Sequence, residues 1–579
     1  MSETKPLKLI PYGISGFKKL RSGNYIYVDK THYISILEKQ GILYPYIVRP
    51  RRSGKSLFAD TLRAYYDINE ATDFEKNFRG TYISSHKTPL ANQFYILRFV
   101  FSGIDGDDVP RRFYNAVRNG LTRFFNAYPH SRQQEVLSAD LGSAAYLLDA
   151  FFSILGTDYC QKLCVIIDEY DQFANALLSK NAALFRSITS SDGFLKNFYS
   201  RLKAEADDSG AVARIFITGV TTISLDSMSS GFSIANNLTA HPMFAGLCGF
   251  SEDELRAMIP EVLYLDTCGK SVDDIVARMK EWYNGYRFSP LKSESVFNAS
   301  MCFYYLQALQ TTGEEPSPLL DTAFAQDLEK ISGILTLGEP AFVKSVVSQA
   351  LRGEALSFPS GSLQQLNLNL TNRLTDEEVL SALVYFGYLT FAEGNRYAFV
   401  VPNRAVAIQF FEYYQRYLLA STSFTFSLKT FSDAYRALGA GDPEPLFRAA
   451  AGRFASESGI HESLHLTESD FHTLLSAALY FTEDYRVHRE VEARGGPHPG
   501  YIDLVIEPAR GKSGFTYVVE LKYLTRQEGT EKAVQATLKK ALQQVRGYSE
   551  CDNIRSIQSL KRVAAVFVGT ELKALAVED

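Results

Sequence analysis

Two groups of residues in this chain have the types and spacing for chemistry on phosphates. The first is Arg49-Pro50-Arg51-Arg52-Ser53-Gly54-Lys55-Ser56, which follows the apolar run Tyr44 to Val48 and precedes a stretch of helical spacing, Ser56 to Tyr66. Gly-Lys-Ser at a strand-to-helix junction is the end of a phosphate-binding loop. Lys55 can reach the outer phosphates, Ser56 can hold Mg²⁺, and the N–H groups of the helix start can cradle oxygens. Arg52, Ser53, Gly54 and Leu57 complete the candidate contacts, and ATP with Mg²⁺ is the expected ligand. Arg49 stands where such a loop ordinarily has its first glycine, so the opening turn must be made differently, with Pro50 fixing φ. Read alone, the segment also fits a basic turn capped by Gly54.

A second element supports the first. Cys164-Val165-Ile166-Ile167-Asp168-Glu169-Tyr170-Asp171 is an apolar strand that ends in acids. Asp168 is placed to bind Mg²⁺ and Glu169 to polarise an attacking water, with Asp171 as the alternative base. The strand Arg214 to Thr218 ends in a polar tip. Thr218 is expected to sense the terminal phosphate, with Thr221 as its rival and ordinary strand capping as the plain alternative.

The other group lies near the C-terminus. Glu520 and Lys522 are two apart on a predicted strand, so they share a face. Asp503 lies on the preceding antiparallel strand, across the Pro508 to Gly514 turn, and can stand beside Glu520. Two acids to hold a divalent metal (Mg²⁺, or Mn²⁺ in its place) and a lysine to position or activate water are what metal-dependent phosphodiester hydrolysis needs. Glu468 on the preceding helix is a further candidate ligand, and Glu490 and Glu492 are candidate supporting acids. Gln544 and Tyr548 share a face of the following helix and resemble the Gln-x-x-x-Tyr element of RecB-like nucleases, with Gln543 able to replace Gln544. The plain alternative is a set of exposed positions on strands.

These groups need elements to hold them. From Leu7 to Val262, short apolar runs alternate with amphipathic stretches, the pattern of a parallel sheet wrapped by helices. Strands are expected at Tyr44–Val48, Phe94–Phe101, Leu163–Ile167 and Arg214–Thr218, with Ser224 to Pro242 as a long loop. Ser271 to Leu419 reads as helical, ending in a helix Glu377–Tyr385 and a hairpin around Gly394-Asn395, a winged-helix-like outline. Ala420 to His465 reads as a helical connector. From Glu468 the order is helix, three strands, helix, strand. The expected domains are 1–262, 263–419, 420–465 and 466–579.

Composition sets the limits. A length of 579 residues exceeds one core, and 46% hydrophobic with 22% charged residues is an ordinary globular balance. The net charge of −5 gives no global sign of nucleic-acid binding, so any such surface is a local basic patch. The six cysteines have no zinc-finger spacing; Cys160 and Cys164 are expected as reduced core residues. His461, His465 and His472 do not suit a closed metal site, and Trp282 is expected in the core of the helical region. With no apolar run of membrane-spanning length and no signal-like start, the chain reads as cytosolic. A homo-oligomer is left open.

Ile10-Pro11-Tyr12-Gly13, Tyr27-Val28-Asp29-Lys30-Thr31, Arg49 to Leu57, Ile167 to Asp171, Thr218-Gly219-Val220 and Trp282-Tyr283-Asn284-Gly285-Tyr286-Arg287-Phe288 resemble the predicted AAA-ATPase-like proteins of bacteria, which commonly end in a PD-(D/E)XK nuclease-superfamily domain. The resemblance spans nearly the whole chain. It implies an α/β fold: a P-loop sheet with helices, a helical middle region, and a C-terminal restriction-endonuclease-like αβββαβ domain. It also implies that arginine at the first glycine position is a family habit, and that nucleic acid, DNA in preference to RNA, is the partner. One departure is Tyr501, where related domains often carry arginine; it offers phosphate no cation.

Overall fold

The structure, a computed structural model, describes residues 7–104, 108–138, 142–172, 193–222, 233–321, 328–364, 366, 373–413, 428–450, 484–496, 499–509, 512–568 and 571–579. The chain divides into two units, residues 1–343 with 355–403, and 344–354 with 404–579.

The first unit is built on a parallel sheet of five strands: β1 (Pro45–Val48), β2 (Tyr95–Val100), β3 (Leu163–Asp168), β4 (Val212–Gly219) and β5 (Asn236–Asn237). Their order is β2-β3-β4-β1-β5. Every residue of β1 and β3 is buried, which is why these runs are continuously apolar rather than alternating. The helix Lys55–Tyr66 packs Phe58, Leu62 and Tyr66 into a core with Ile47, Ile166 and Phe216. The register pairs Val48 with Gly219 and Ile167 with Ile217, so the carboxyl ends of β1, β4 and β3 form one edge. In open parallel sheets that edge is where ligands bind. The expected loop before Pro242 includes β5, a short edge strand beside β1.

The helical region of this unit includes Glu252–Val262, Val272–Tyr283, Ala299–Thr312 and Asp376–Phe386. Three of these begin with reciprocal capping boxes, Ser251 with Glu254, Ser271 with Asp274 and Thr375 with Glu378. Trp282, Tyr283 and Tyr286 are buried. The expected hairpin is present as β7 (Thr390–Ala392) and β8 (Asn395–Val400), but its turn is Glu393-Gly394, with Asn395 already paired to Ala392. A third strand, β6 (Leu356–Ser357), joins it in the order β6-β8-β7.

The second unit holds another five-stranded sheet: β9 (Tyr485–Ala493), β10 (Gly500–Pro508), β11 (Thr516–Leu524), β12 (Leu560–Val568) and β13 (Glu571–Glu578), in the order β13-β12-β11-β10-β9. Only β11 and β12 are parallel, and the helix Glu531–Ser549 connects them, as a parallel crossover requires. Leu438 and Phe447 pack with Leu504, Val519 and Phe567, while Val545 and Tyr548 pack with Val505 and Val518. The strand β13 extends the sheet beyond the αβββαβ expectation. The helix expected at Glu468 to Phe481 lies outside the described residues, as do Glu468, His461, His465 and His472. Of the connector, the helix Leu428–Gly439 is described. Cys164 is buried as expected, whereas Cys160 is half-exposed.

Gly285 lies at φ +96°, and a Cβ there would stand 1.9 Å from the Pro402 carbonyl oxygen. Gly285→Ala should cost roughly 2 kcal/mol or more, from positive φ and backbone overlap together. A fall in the thermal midpoint measures it.

Candidate nucleotide site and candidate nuclease centre

Arg49 is buried, and its guanidinium turns away from the loop to bind main chain. Its Nη1 donates to the carbonyls of Val48 (2.9 Å) and Thr239 (2.5 Å), its Nη2 to that of Phe244 (3.0 Å), and it stacks 4.3 Å over the Phe288 ring. Burial pulls its pKa down to about 10. The residue in the first glycine's place is thus a tether, and the curvature of the loop comes later, at Arg52 (φ +62°) and Gly54 (φ +104°).

Lys55 opens the helix and is buried. Its ammonium donates to the Arg49 and Pro50 carbonyls, at 2.9 Å each. Burial pulls its pKa down, opposed by Asp171, Asp168 and Glu169 among others. Ser53, Ser56 and Leu57 line a cleft of about 410 Å³, which continues past Glu169 to Ile14, Val28, Phe250 and Phe303. The Ser53 hydroxyl is buried with no hydrogen-bond partner among the described residues. Arg52 also borders the cleft, but its Nη1 pairs with Asp321 at 2.9 Å.

On the neighbouring strands, the Thr218 hydroxyl donates to Asp168 Oδ1 at 2.5 Å. Arg98 on β2 reaches Asp168 Oδ2 at 3.6 Å and Asp60 at 3.2 Å. Glu169 has φ +55°, and burial followed by the Asp168 charge lifts its pKa above the ordinary carboxylate range. The two alternatives to these residues are engaged elsewhere. Asp171 accepts from the Val220 N–H, the Thr221 N–H (2.6 Å) and the Thr221 hydroxyl (2.8 Å). Sequence reasoning missed Arg98 and Asp321. A lone arginine inside the otherwise apolar run Tyr95–Val100 was a signal for the first, since a buried arginine needs a partner. Asp321 is far from the loop in sequence and carried no signal.

In the second unit, the Asp503 carboxylate accepts the Leu521 N–H at 2.7 Å, beside Glu520. Glu520 is 3% exposed and pairs with Lys522 at 2.6 Å. Burial works against charge on Lys522, but the Glu520 hydrogen bond and the Glu520 and Asp503 charges outweigh it and raise the pKa. The ammonium form of Lys522 is thereby favoured, as its hydrogen bond to Glu520 requires. Burial, then Glu520 and Asp503, raise the Tyr548 pKa, so the phenol stays neutral, and Gln544 hydrogen-bonds it. Gln544, not Gln543, takes that position. A Cβ on Gly500 would lie 2.8 Å from the Tyr548 ring, so glycine there allows the tyrosine its approach. Glu492 pairs with Arg494, and Tyr501 is 64% exposed. Among the described residues no three His, Cys, Asp or Glu side chains group as a metal cluster. The acids brought together are Asp503 and Glu520, a donor set of carboxylate oxygens that suits a hard divalent cation.

Comparison with known proteins gives the two domain types. Residues 11–229 match the family described as predicted AAA-ATPase (AAA-ATPase-like), and residues 466–576 match the PD-(D/E)XK nuclease superfamily. The chain joins an AAA-ATPase-like domain to a PD-(D/E)XK nuclease-superfamily domain. It is 29% identical over 383 residues to a protein of Azotobacter chroococcum mcd 1 described as an uncharacterised protein in the vnfD 5′ region, covering 63% of this chain and 67% of that one. A Walker-type ATPase of Pyrococcus abyssi aligns with 66% of this chain and 96% of its own, at 11% identity and a TM-score of 0.39. No helix among the described residues is long and apolar enough to cross a membrane.

Asp171→Asn should cost about 1.5–3 kcal/mol, because an amide presents a donor to the N–H groups that the carboxylate accepts. A lowered denaturation midpoint tests it. An unchanged midpoint would mean that Asp171 does not hold the β4 exit.

Proposed function

We propose that the chain is an ATP-binding and ATP-hydrolysing protein whose C-terminal domain is a metal-dependent nuclease on nucleic acid, DNA in preference to RNA. The observation that carries the reading is that Asp503, Glu520 and Lys522 gather on adjoining strands with Tyr548 and Gln544 beside them. The ATPase half is supported by Lys55, Asp168, Thr218 and Glu169 at one sheet edge.

In the first domain, Lys55 would leave its own loop carbonyls for the β- and γ-phosphates, and Ser53 to Leu57 would line the phosphate path. Ser56 and Asp168 would hold Mg²⁺, and Thr218 keeps the Asp168 carboxylate oriented. Glu169, with its raised pKa, is a stronger base than an ordinary carboxylate and is suited to accept a proton from water. In the second domain, Asp503 and Glu520 would hold Mg²⁺ or Mn²⁺, with Glu468 as a further ligand. A divalent cation there supplies positive charge against the scissile phosphate. Lys522, as a cation, orients water and stabilises charge on the phosphate, and Tyr548 donates a hydrogen bond. A cytoplasmic role in defence, mobile-element handling or repair suits this pairing, in that order of preference, and the domains 1–262, 263–419, 420–465 and 466–579 divide the work. Self-association into a homo-oligomer belongs to the same proposal.

A second reading, a nucleotide-switched DNA-binding or assembly module without cleavage, draws on the pairing of Lys522 with Glu520, which occupies a candidate ligand. The deciding experiment is cleavage of a DNA and RNA panel with Mg²⁺ or Mn²⁺, with and without ATP. Asp503→Ala or Glu520→Ala should abolish cutting. Lys522→Ala should slow it while leaving metal binding largely intact. Cutting by the full chain that survives Asp503→Ala overturns the site assignment, and no cutting by wild type on any substrate supports the second reading.

Lys55→Ala should weaken ATP binding roughly tenfold or more, since a charge-assisted contact is worth about 1.5–3 kcal/mol. Calorimetry that finds equal affinity would refute the phosphate-loop reading. Glu169→Gln should spare binding and slow turnover. In the wild type, turnover should rise with pH through the raised Glu169 pKa, because only the deprotonated form is a base. That acid limb should disappear from the residual rate of the glutamine variant; a limb that persists unchanged would mean that another group is the base.

A further inference from the structure

Asp321 is remote from the phosphate loop in sequence, yet it holds a residue of that loop. Its carboxylate accepts from Arg52 Nη1 at 2.9 Å and from the Tyr12 hydroxyl. The pair is not a flexible surface contact. Asp321 is 8% exposed, the nearby Leu319 carbonyl is fixed by the Tyr283 hydroxyl at 2.6 Å, and the Ser300 hydroxyl reaches the Arg52 carbonyl at 3.1 Å. Arg52 itself is held at φ +62°, a left-handed conformation that a non-glycine residue keeps only when its surroundings fix it.

This arrangement sets a fixed negative charge against the loop that would take the phosphates. A phosphate chain at the loop meets Asp321 in two ways, as a like charge and as a competitor for the Arg52 guanidinium. Planar guanidinium serves carboxylate and phosphate equally well, so the exchange needs no new chemistry, only a stronger anion. The more charges the nucleotide carries, the better it competes.

We infer that Asp321 is a specificity-determining residue of the nucleotide site, a carboxylate that holds Arg52 until a triphosphate takes it, so that phosphate occupancy frees the Leu319–Asp321 segment. The inference rests on the nucleotide reading proposed above. It makes the irregular Leu319–Asp321 segment, which follows the helix Ala299–Thr312, responsive to the number of phosphates rather than to the base.

Calorimetry on the full chain with ATP, ADP and adenosine tests it. Asp321→Asn keeps the shape and an acceptor for Tyr12 but removes the charge. It should tighten ATP about three- to tenfold, ADP less, and adenosine not at all. In an Arg52→Gln background the same substitution should tighten ATP less, because the competition for the guanidinium is gone. Equal gains for all three ligands, or no gain for ATP, would overturn the inference. A measurement without any variant guards against a misfolded protein: hydrogen exchange of the Leu319–Asp321 amides in wild type should speed up when ATP is added. Unchanged or slower exchange in that segment also overturns it. A wild type that binds no ATP would instead sink the nucleotide reading itself, which separates the two failures.

Discussion

The candidate nucleotide site depends on one placement: β4 lies between the phosphate-loop strand β1 and the acidic strand β3. Neighbouring strands are about 4.8 Å apart, so Lys55 and Asp168 start from strands separated by about 10 Å. That separation leaves room for a phosphate and its cation between the two strand ends. The tip of β4 fills the gap with a neutral hydroxyl, and the 2.5 Å bond from Thr218 orients Asp168 without cancelling its charge. Asp171, one turn further along, binds the chain just after that tip through two N–H groups and a hydroxyl. The acidic run after β3 is thus divided by task. Its first member faces the cleft edge, its second lies in the cleft wall, and its fourth pins the neighbouring strand.

Two buried cations close together would ordinarily be an expensive arrangement, since each loses its hydration. Arg49 and Lys55 limit the cost by different means. Arg49 gives its Nη donors to three main-chain carbonyls and its face to the Phe288 ring, so the tether ties β1 to Thr239, Phe244 and the aromatic run after Trp282. Lys55 holds only carbonyls of its own loop, and carbonyls are weaker partners for an ammonium than phosphate oxygens. One cation is committed to the fold and the other is available to a ligand. A glycine at position 49 could make the opening turn but could not provide the tether.

Much of this was legible in the sequence where local pattern and chemistry coincide. The strand leading into Gly54-Lys55-Ser56, the fully apolar β3 ending at Asp168, and the two-residue spacing of Glu520 and Lys522 each carry their meaning within a few residues. What could not be read is long-range. Asp321 meets Arg52 across a separation that no periodicity reports, and the Arg98 contact to Asp168 depends on sheet order, which the strands do not announce individually. The edge strands β5 and β13 were missed for another reason. The first is two residues long, and the second has no fully buried residue, so neither shows the burial contrast on which strand recognition relies. The Glu393-Gly394 turn shows the same limit at small scale: Gly394 marked the bend, but only cross-strand pairing decides which side of it Asn395 joins.

Charge balance constrains what the C-terminal centre can do. Asp503 and Glu520 bring two negative charges to adjoining strands, and Lys522, whose pKa is raised by both, returns one positive charge. Tyr548 stays neutral because burial, and after it the same carboxylates, oppose its ionisation. With both carboxylates ionised the centre would carry one negative charge in excess and would repel a phosphodiester, which is itself an anion. Binding without a cation would require the nucleic acid to be held by basic groups elsewhere, against this repulsion. Asp503 and Glu520 would hold a divalent ion whose charge would reverse the sign, and Lys522, which shares Glu520 with it, would then be freer to turn toward a phosphate, since one carboxylate oxygen cannot serve both fully. The carboxylates that would oppose a nucleic-acid backbone are the ones that would hold a cation, so in the proposed nuclease metal and substrate affinity should rise together.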